Sequence, residues 1–264
     1  DYVTFVKVAA AAVLTHMLGG SRAEIMNAMS NAWADGVALR IYRAGNPGAR
    51  KGWAGGDATS RGLWLALMAL KGEMGYPSVL TAKTNGFYDA LFRRRQFALP
   101  RALGSDTIEN ILFKQVRAAS PAQTAVECAF LLHDRVKDRL EDVESITIRT
   151  QDIAVRNLNK AGPLPNPAYR DHSLQYIVAV CLIHGKLGSA DFEDDFAADP
   201  RIDRLREKAV MVEDPRYTAE HMDPEKRSTA NAIEVRFQDG SSLPKVEVDE
   251  QQRHPRRRAE GMAM

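Results

Sequence analysis

Most of the signatures that assign a function at sight are missing from this sequence. It has two cysteines, Cys128 and Cys181, set far apart in apolar helical surroundings. Two are too few for a disulfide framework or a four-cysteine cluster, and they imply buried thiols in a reducing compartment. No uninterrupted apolar run reaches the ~20 residues that a spanning helix needs, so no membrane segment is expected. Neither GxGxxG nor GxxxxGK[ST] occurs, which removes the usual phosphate cradles. The histidines His16, His133, His172, His184, His221 and His254 form no HxH, HExxH or Cys/His cluster, so neither a metal nor another cofactor is expected. A net charge of +2 is too small to argue for nucleic acid or an anionic membrane. Repeats and low-complexity tracts are absent. An initiator methionine is absent too: Asp1-Tyr2-Val3-Thr4-Phe5 runs straight into an amphipathic helix with no signal peptide. The expectation is a fragment whose natural beginning, with any targeting sequence, has been lost.

What is present is ordinary for a soluble globular chain, with 45% hydrophobic and 27% charged residues in 264. That length allows one large domain or two smaller ones. Val3, Val6, Ala10, Val13, Leu14, Met17 and Leu18 recur at helical spacing until Gly19-Gly20. Ser21 and Glu24 form a capping box for a second helix, which turns Ile25, Met29 and Trp33 to a core. Further helices are expected over 57–71 and 78–84. After Arg93-Arg94-Arg95 the character changes. Strands are predicted over 110–116, 143–150 and 210–213. The runs 232–237 and 245–248 are expected to pair as a hairpin around Gln238-Asp239-Gly240-Ser241. Helices are predicted over 123–140 and 170–184, then two short ones led by Ser189 and by Asp199-Pro200. The resulting fold class is mixed: a partial all-α domain over 1–95, and a smaller α+β lid domain over 96–248 with a largely antiparallel sheet. A basic tail, 249–264, is expected to return towards the helical domain.

The stretch Arg50-Lys51-Gly52-Trp53-Ala54-Gly55-Gly56-Asp57-Ala58-Thr59-Ser60-Arg61 stands out. Asp57 and Thr59 sit where a helix N-terminus is expected, so free amides, small glycines and the cations Lys51 and Arg61 would suit a carboxylate-bearing substrate. A glycine-softened loop before a core helix explains the pattern equally well. Lys114 ends an apolar strand pattern, where it either binds a carboxylate and exchanges a proton or protects a sheet edge. His172 follows Asp171 at a helix start, as a capping or packing group or as an imidazole facing a cleft. His16 and His133 read as structural or exposed.

The blocks Asn31–Gly36, Leu39–Arg43, Arg50–Arg61, Gly72–Ala82, Gly86–Asp89, Glu109–Lys114, Gln123–Glu127, Arg170–His172, Asp223–Arg227 and His254–Gly261 together resemble the 2-methylcitrate dehydratases of the MmgE/PrpD family. The match runs nearly end to end, to what reads as the C-terminal part only of the family's usual length. The resemblance implies a helical domain and an α+β lid with the site in the cleft between them. It also implies a homodimer, no iron–sulfur cluster, and a cytoplasmic or mitochondrial matrix location. The implied reaction is a carbon–oxygen lysis, 2-methylcitrate to 2-methyl-cis-aconitate, in propionate breakdown through the methylcitrate cycle. Lys51 and Lys114 resemble the two lysines lining that site, where they would hold carboxylates of the tricarboxylate and stabilise enolate-like charge. Asp57 and Arg61 would support the loop and the substrate, and His172 would be a lid-side catalytic candidate.

The sequence departs from the family pattern at Tyr2 and Pro121, where histidines are usual. Two other readings use the same fold: an inactive truncated paralogue serving as a dimerisation partner, and a cis-aconitate decarboxylase-like enzyme. The length of the match from Trp53 to Arg61 favours the dehydratase branch. A nucleic-acid module would rest only on the two arginine runs.

Overall fold

The computed structural model describes residues 1–43, 47–98, 102, 104, 111–252, 254, 256 and 257. The chain divides into two compact units, Asp1–Leu103 and Gly104–Met264. No described helix is long and apolar enough to cross a membrane.

The first unit is helical. It contains α1 (Val3–Met17), α2 (Arg22–Ala34), a 3-10 turn (Arg40–Tyr42), α3 (Arg50–Leu70) and the short α4 (Phe87–Ala90). The capping box at α2 is formed as expected: the Ser21 hydroxyl accepts from the Glu24 amide, and the Glu24 carboxylate accepts from the Ser21 amide. The buried face of α1 differs from the expected one. Val3, Thr4, Lys7, Val8, Ala11 and Thr15 are inside, while Val13, Met17 and Leu18 are exposed. Close backbone approach explains the choice. A Cβ on Gly62 of α3 would lie 2.7 Å from the Ala10 Cβ and 2.9 Å from the Lys7 carbonyl oxygen, so only small side chains fit along this crossing. The long apolar side chains of α1 are therefore left outside.

Helix α3 starts at Arg50, not at Asp57, which corrects the expected loop. Gly52, Gly55 and Gly56 lie within the helix, where an added Cβ would meet open space. Packing decides this: Ala54 and Ala58 join Val3 in a small apolar cluster, and that burial outweighs the ~1 kcal/mol helix penalty of each glycine. The helix expected over 78–84 is replaced by turns, because Thr84 takes a positive φ of 70° and its amide donates to Asp89 Oδ2 at 2.9 Å.

The second unit combines a mixed sheet with a set of helices, one of them fully buried. Its described α-helices are α5 (Gln123–Val136), α6 (Asp152–Leu158), α7 (Pro167–Arg170), α8 (Leu174–His184), α9 (Asp194–Ala197), α10 (Pro200–Arg206) and α11 (Pro215–Met222). Its strands are β1 (Val143–Thr150), β2 (Ala209–Glu213), β3 (Asn231–Phe237) and β4 (Val246–Val248), in the order β2-β1-β3-β4. The β1–β2 pair is parallel and the other two are antiparallel, so the expected largely antiparallel sheet is instead a mixed, α/β one. The reason lies in connectivity. The chain between β1 and β2 carries α6 to α10, a crossover long enough to return in the same direction. The β3–β4 hairpin forms as expected, with Gly240 at φ +81° in its turn.

Ala125, Val126, Ala129, Leu132 and Val136 of α5 are all buried, as their spacing predicts. Every residue of α8 from Leu174 to Ile183 is inside, and Tyr176, Ile177 and Leu182 share one contiguous core with Ile146 and Ile148 of β1 and Ile233 and Val235 of β3.

The strand expected over 110–116 is not formed at 111–116, and Asn110 lies outside the described residues. Instead of pairing with a strand, the Gln115 and Val116 amides donate to Gln123 Oε1 at 3.0 and 3.2 Å. The Gln123 amide group returns bonds to the Val116 and Ala118 carbonyls. Near the C-terminus, Arg257 pairs with Glu127 at 2.8 Å and His254 Nε2 lies 3.2 Å from Glu250, both within this unit. Of the tail 249–264, which was expected to return towards the helical domain, residues 253, 255 and 258–264 lie outside the described residues.

Candidate functional site

In the first unit a cavity of about 240 Å³ runs along α3, between it and the start of α1. Helical repeat sets Arg50, Ala54, Asp57, Ala58 and Arg61 on the α3 side, facing Thr4 and Lys7 of α1. Asp57 and Arg61, both expected as site residues, thus line one hollow, though as mid-helix residues and not at a helix start. Lys51 is half-buried in the first turn, one position from Arg50, and its amide donates to the Gly48 carbonyl at 3.1 Å.

The charges here are already paired. Arg61 donates from Nε and Nη2 to the two oxygens of Asp35 at 3.0 and 2.7 Å, a bidentate clamp. Lys7, almost fully buried, donates to Asp35 at 3.1 Å and to the Gly36 carbonyl at 2.9 Å. The Arg61 fork, helped by Lys7, holds the Asp35 carboxyl below its ordinary value, and Asp35 in turn raises Arg61. Asp57 pairs with Arg50 at 3.3 Å. Two hydroxyls lining the same cavity, Thr4 Oγ1 and Tyr42 Oη, are buried and have no hydrogen-bond partner among the described residues. Thr4, Lys7, Asp35 and Tyr42 did not emerge from the sequence. The one available signal was a lysine placed inside the apolar run Phe5-Val6-Lys7-Val8, a charge that needs a partner wherever it is buried.

The remaining expected residues lie in the second unit. Lys114 is exposed in the segment that Gln123 holds, next to Phe113, whose carbonyl accepts from Gln251 at 3.0 Å. It neither ends a strand nor guards a sheet edge. His172 is half-buried in the turn between α7 and α8, with Nδ1 2.5 Å from Asp171 Oδ1. That contact can hold the imidazole with its proton on Nδ1. The structure thus brings Asp57 and Arg61 onto one cavity. Lys114 and His172 sit at different places in the second unit, and neither lines its 310 Å³ cavity.

Of the two positions read as departures from the family pattern, Tyr2 is exposed with the Arg43 guanidinium 4.5 Å from its ring centre. Pro121 sits in a 3-10 turn (Ser120–Ala122), and its carbonyl accepts from the Asn231 amide at 2.8 Å. Both cysteines are buried and unpaired, and burial pushes the Cys128 thiol up to about 12. Among the described residues no group of three or more His, Cys, Asp or Glu side chains could hold a metal.

Residues 1–100 match the MmgE/PrpD N-terminal domain, and residues 118–263 match the MmgE/PrpD C-terminal domain. The chain belongs to the MmgE/PrpD family. Because both domains are matched, the resemblance is not confined to a C-terminal part. This MmgE/PrpD chain is 53% identical to a 2-methylcitrate dehydratase of Salmonella typhimurium, over 99% of its own length and 55% of the relative's. It is equally 53% identical to one of Cupriavidus necator, over 100% and 56%. It is 50% identical to a mitochondrial 2-methylcitrate dehydratase of Yarrowia lipolytica, over 99% and 51%. The chain therefore spans about half the length of the curated relatives it matches.

Proposed function

We propose that this chain carries part or all of a 2-methylcitrate dehydratase, a hydro-lyase that eliminates water from 2-methylcitrate to give 2-methyl-cis-aconitate in propionate catabolism. The observation carrying this reading is the 53% identity, over nearly the whole chain, to proteins of that name. In the reaction a C–H proton α to a carboxylate leaves to a base, the neighbouring C–O bond breaks, and the hydroxyl departs as water once protonated. Lys51 and Lys114 each hold a substrate carboxylate and offset the negative charge that grows as the proton is lost. Asp57 and Arg61 line the cavity along α3, while Lys51, in the first turn of the same helix, does not line it. Arg61 acts through its clamp on Asp35, since its fork is already occupied. His172 exchanges the proton at Nε2, and the Asp171 contact at Nδ1 supports that role.

The protein acts as a homodimer, with no nucleic-acid partner, in the cytoplasm or mitochondrial matrix, where its two unpaired thiols stay reduced.

The test is formation of enoate absorbance from 2-methylcitrate, together with calorimetric titration of the same acid. Lys51→Ala is expected to abolish enoate formation with helix content unchanged by circular dichroism. A rate that survives this change removes Lys51 from the site. Light scattering at the monomer mass would remove the dimer.

A further inference from the structure

The second unit contains a cavity that this chemistry does not use. It measures about 310 Å³ and is walled by Pro163 and Leu164, the end of α7, and α9 and α10. Two guanidiniums line it, Arg170 and Arg206, with side chains only 8% and 7% accessible. Each is paired with a carboxylate that remains in water. Arg170 Nη2 donates to Asp194 at 2.6 Å and Arg206 Nε to Asp203 at 2.5 Å, and those carboxylates are 79% and 59% accessible. Arg170 also donates from Nη1 to the Phe192 carbonyl at 2.6 Å. Tyr176, which lines the same hollow, already donates its hydroxyl hydrogen to the Asp191 carbonyl at 2.6 Å.

Taking a guanidinium out of water is costly, and a solvent-screened carboxylate compensates only weakly. Asp194 and Asp203 line the hollow as well, so the formal charges cancel, but the guanidiniums are buried and the carboxylates sit at its exposed rim, which leaves the inner wall positive. Arg206 makes one described hydrogen bond, through Nε. Both of its Nη groups carry none among the described residues. A guanidinium edge of this kind matches the two oxygens of a carboxylate or phosphate.

We propose that this cavity binds a small oxyanion, a carboxylate or a phosphate, received by the Nη edge of Arg206 with Arg170 beside it. The site is independent of the dehydratase reading, because Lys51, Lys114 and His172 do not line it. Two ion pairs that serve only to tie α7 to α9 and to close the end of α10 would have no use for a ligand.

The experiment is calorimetric titration of the chain with inorganic phosphate and, separately, with citrate, each repeated on Lys51→Ala so that binding at the proposed substrate site drops out. One anion or both should still bind Lys51→Ala, and which one does so names the ligand class. Asp203→Asn removes a competing rim charge and should tighten binding by roughly two- to fivefold. Arg206→Lys keeps the charge but loses the fork, and should weaken binding by about tenfold or more. Binding of neither anion overturns the proposal. So does binding indifferent to both substitutions, or weakened by Asp203→Asn.

Discussion

The two units are built on different economies of side chain. The second buries Tyr176, Phe237, Leu132, Ile146, Ile148 and Leu182 in one contiguous core. The first buries mainly alanines, among them Ala11, Ala28, Ala32, Ala54, Ala66 and Ala69, and leaves Met17, Trp53, Trp64 and Leu67 on its surface. Small residues let α1 and α3 approach closely, but each contributes little apolar area. The polar clamp of Asp35 on Lys7 and Arg61 therefore matters more to the first unit than any comparable pair does to the second. That contrast indicates where each unit is vulnerable: one to lost volume, the other to lost charge.

The largest expected effect sits in the second unit and concerns chemistry. His172→Gln should lower dehydration of 2-methylcitrate about 10²- to 10⁴-fold with the fold intact, read from enoate formation and circular dichroism. An unchanged rate would leave His172 with a packing role.

Next, Ile148→Ala should destabilise the second unit by about 2–5 kcal/mol through the cavity it leaves, measured by urea denaturation. Leu67→Ala on the exposed face of the first unit should cost under about 0.5 kcal/mol. Equal losses from these two substitutions would erase the contrast between the cores.

Third, Asp35→Asn should cost the first unit about 2–3 kcal/mol at neutral pH, because the Lys7 ammonium stays buried without its carboxylate. The pH dependence has a definite sign. Arg61, then Lys7, hold the Asp35 carboxyl below 3.8 in the folded chain, so the unfolded chain binds the proton more readily. Stability from this group is complete above 3.8 and is lost as pH falls through the lower, folded value. Asp35→Asn should flatten that acid limb in stability curves, and an unchanged limb would assign it to other carboxylates.

The smallest effect is at the capping box. Ser21→Ala should cost about 1 kcal/mol, seen as faster amide exchange in the first turn of α2.

Much of the second unit was readable residue by residue. The alternation of Val143–Thr150 and the apolar stripe of α5 each point to one buried face, and that face is the one observed. Failures came where a local pattern had to compete with packing. Ile111-Leu112-Phe113 has strand composition, yet its neighbours' amides are taken by the Gln123 side chain. The glycines at 52, 55 and 56 suggest a loop, yet Ala54 and Ala58 find a partner in Val3 and the helix extends through them. The candidate site divides in the same way. Asp57 and Arg61 share a helix face because their spacing is local, whereas Lys7 and Asp35, 28 positions apart, meet only through the packing of α1 against the end of α2.

By itself, the sequence determined family membership, the capping box of α2, and the period of most helices and strands, because these depend on residues within a few positions of one another. Tertiary structure alone decided where α3 begins, which face of α1 is inside, and the parallel pairing of β1 with β2. It also decided which cations are already engaged and which still have donors to offer. Those outcomes depend on the distance between backbones brought together from far along the chain, and no local pattern encodes that distance.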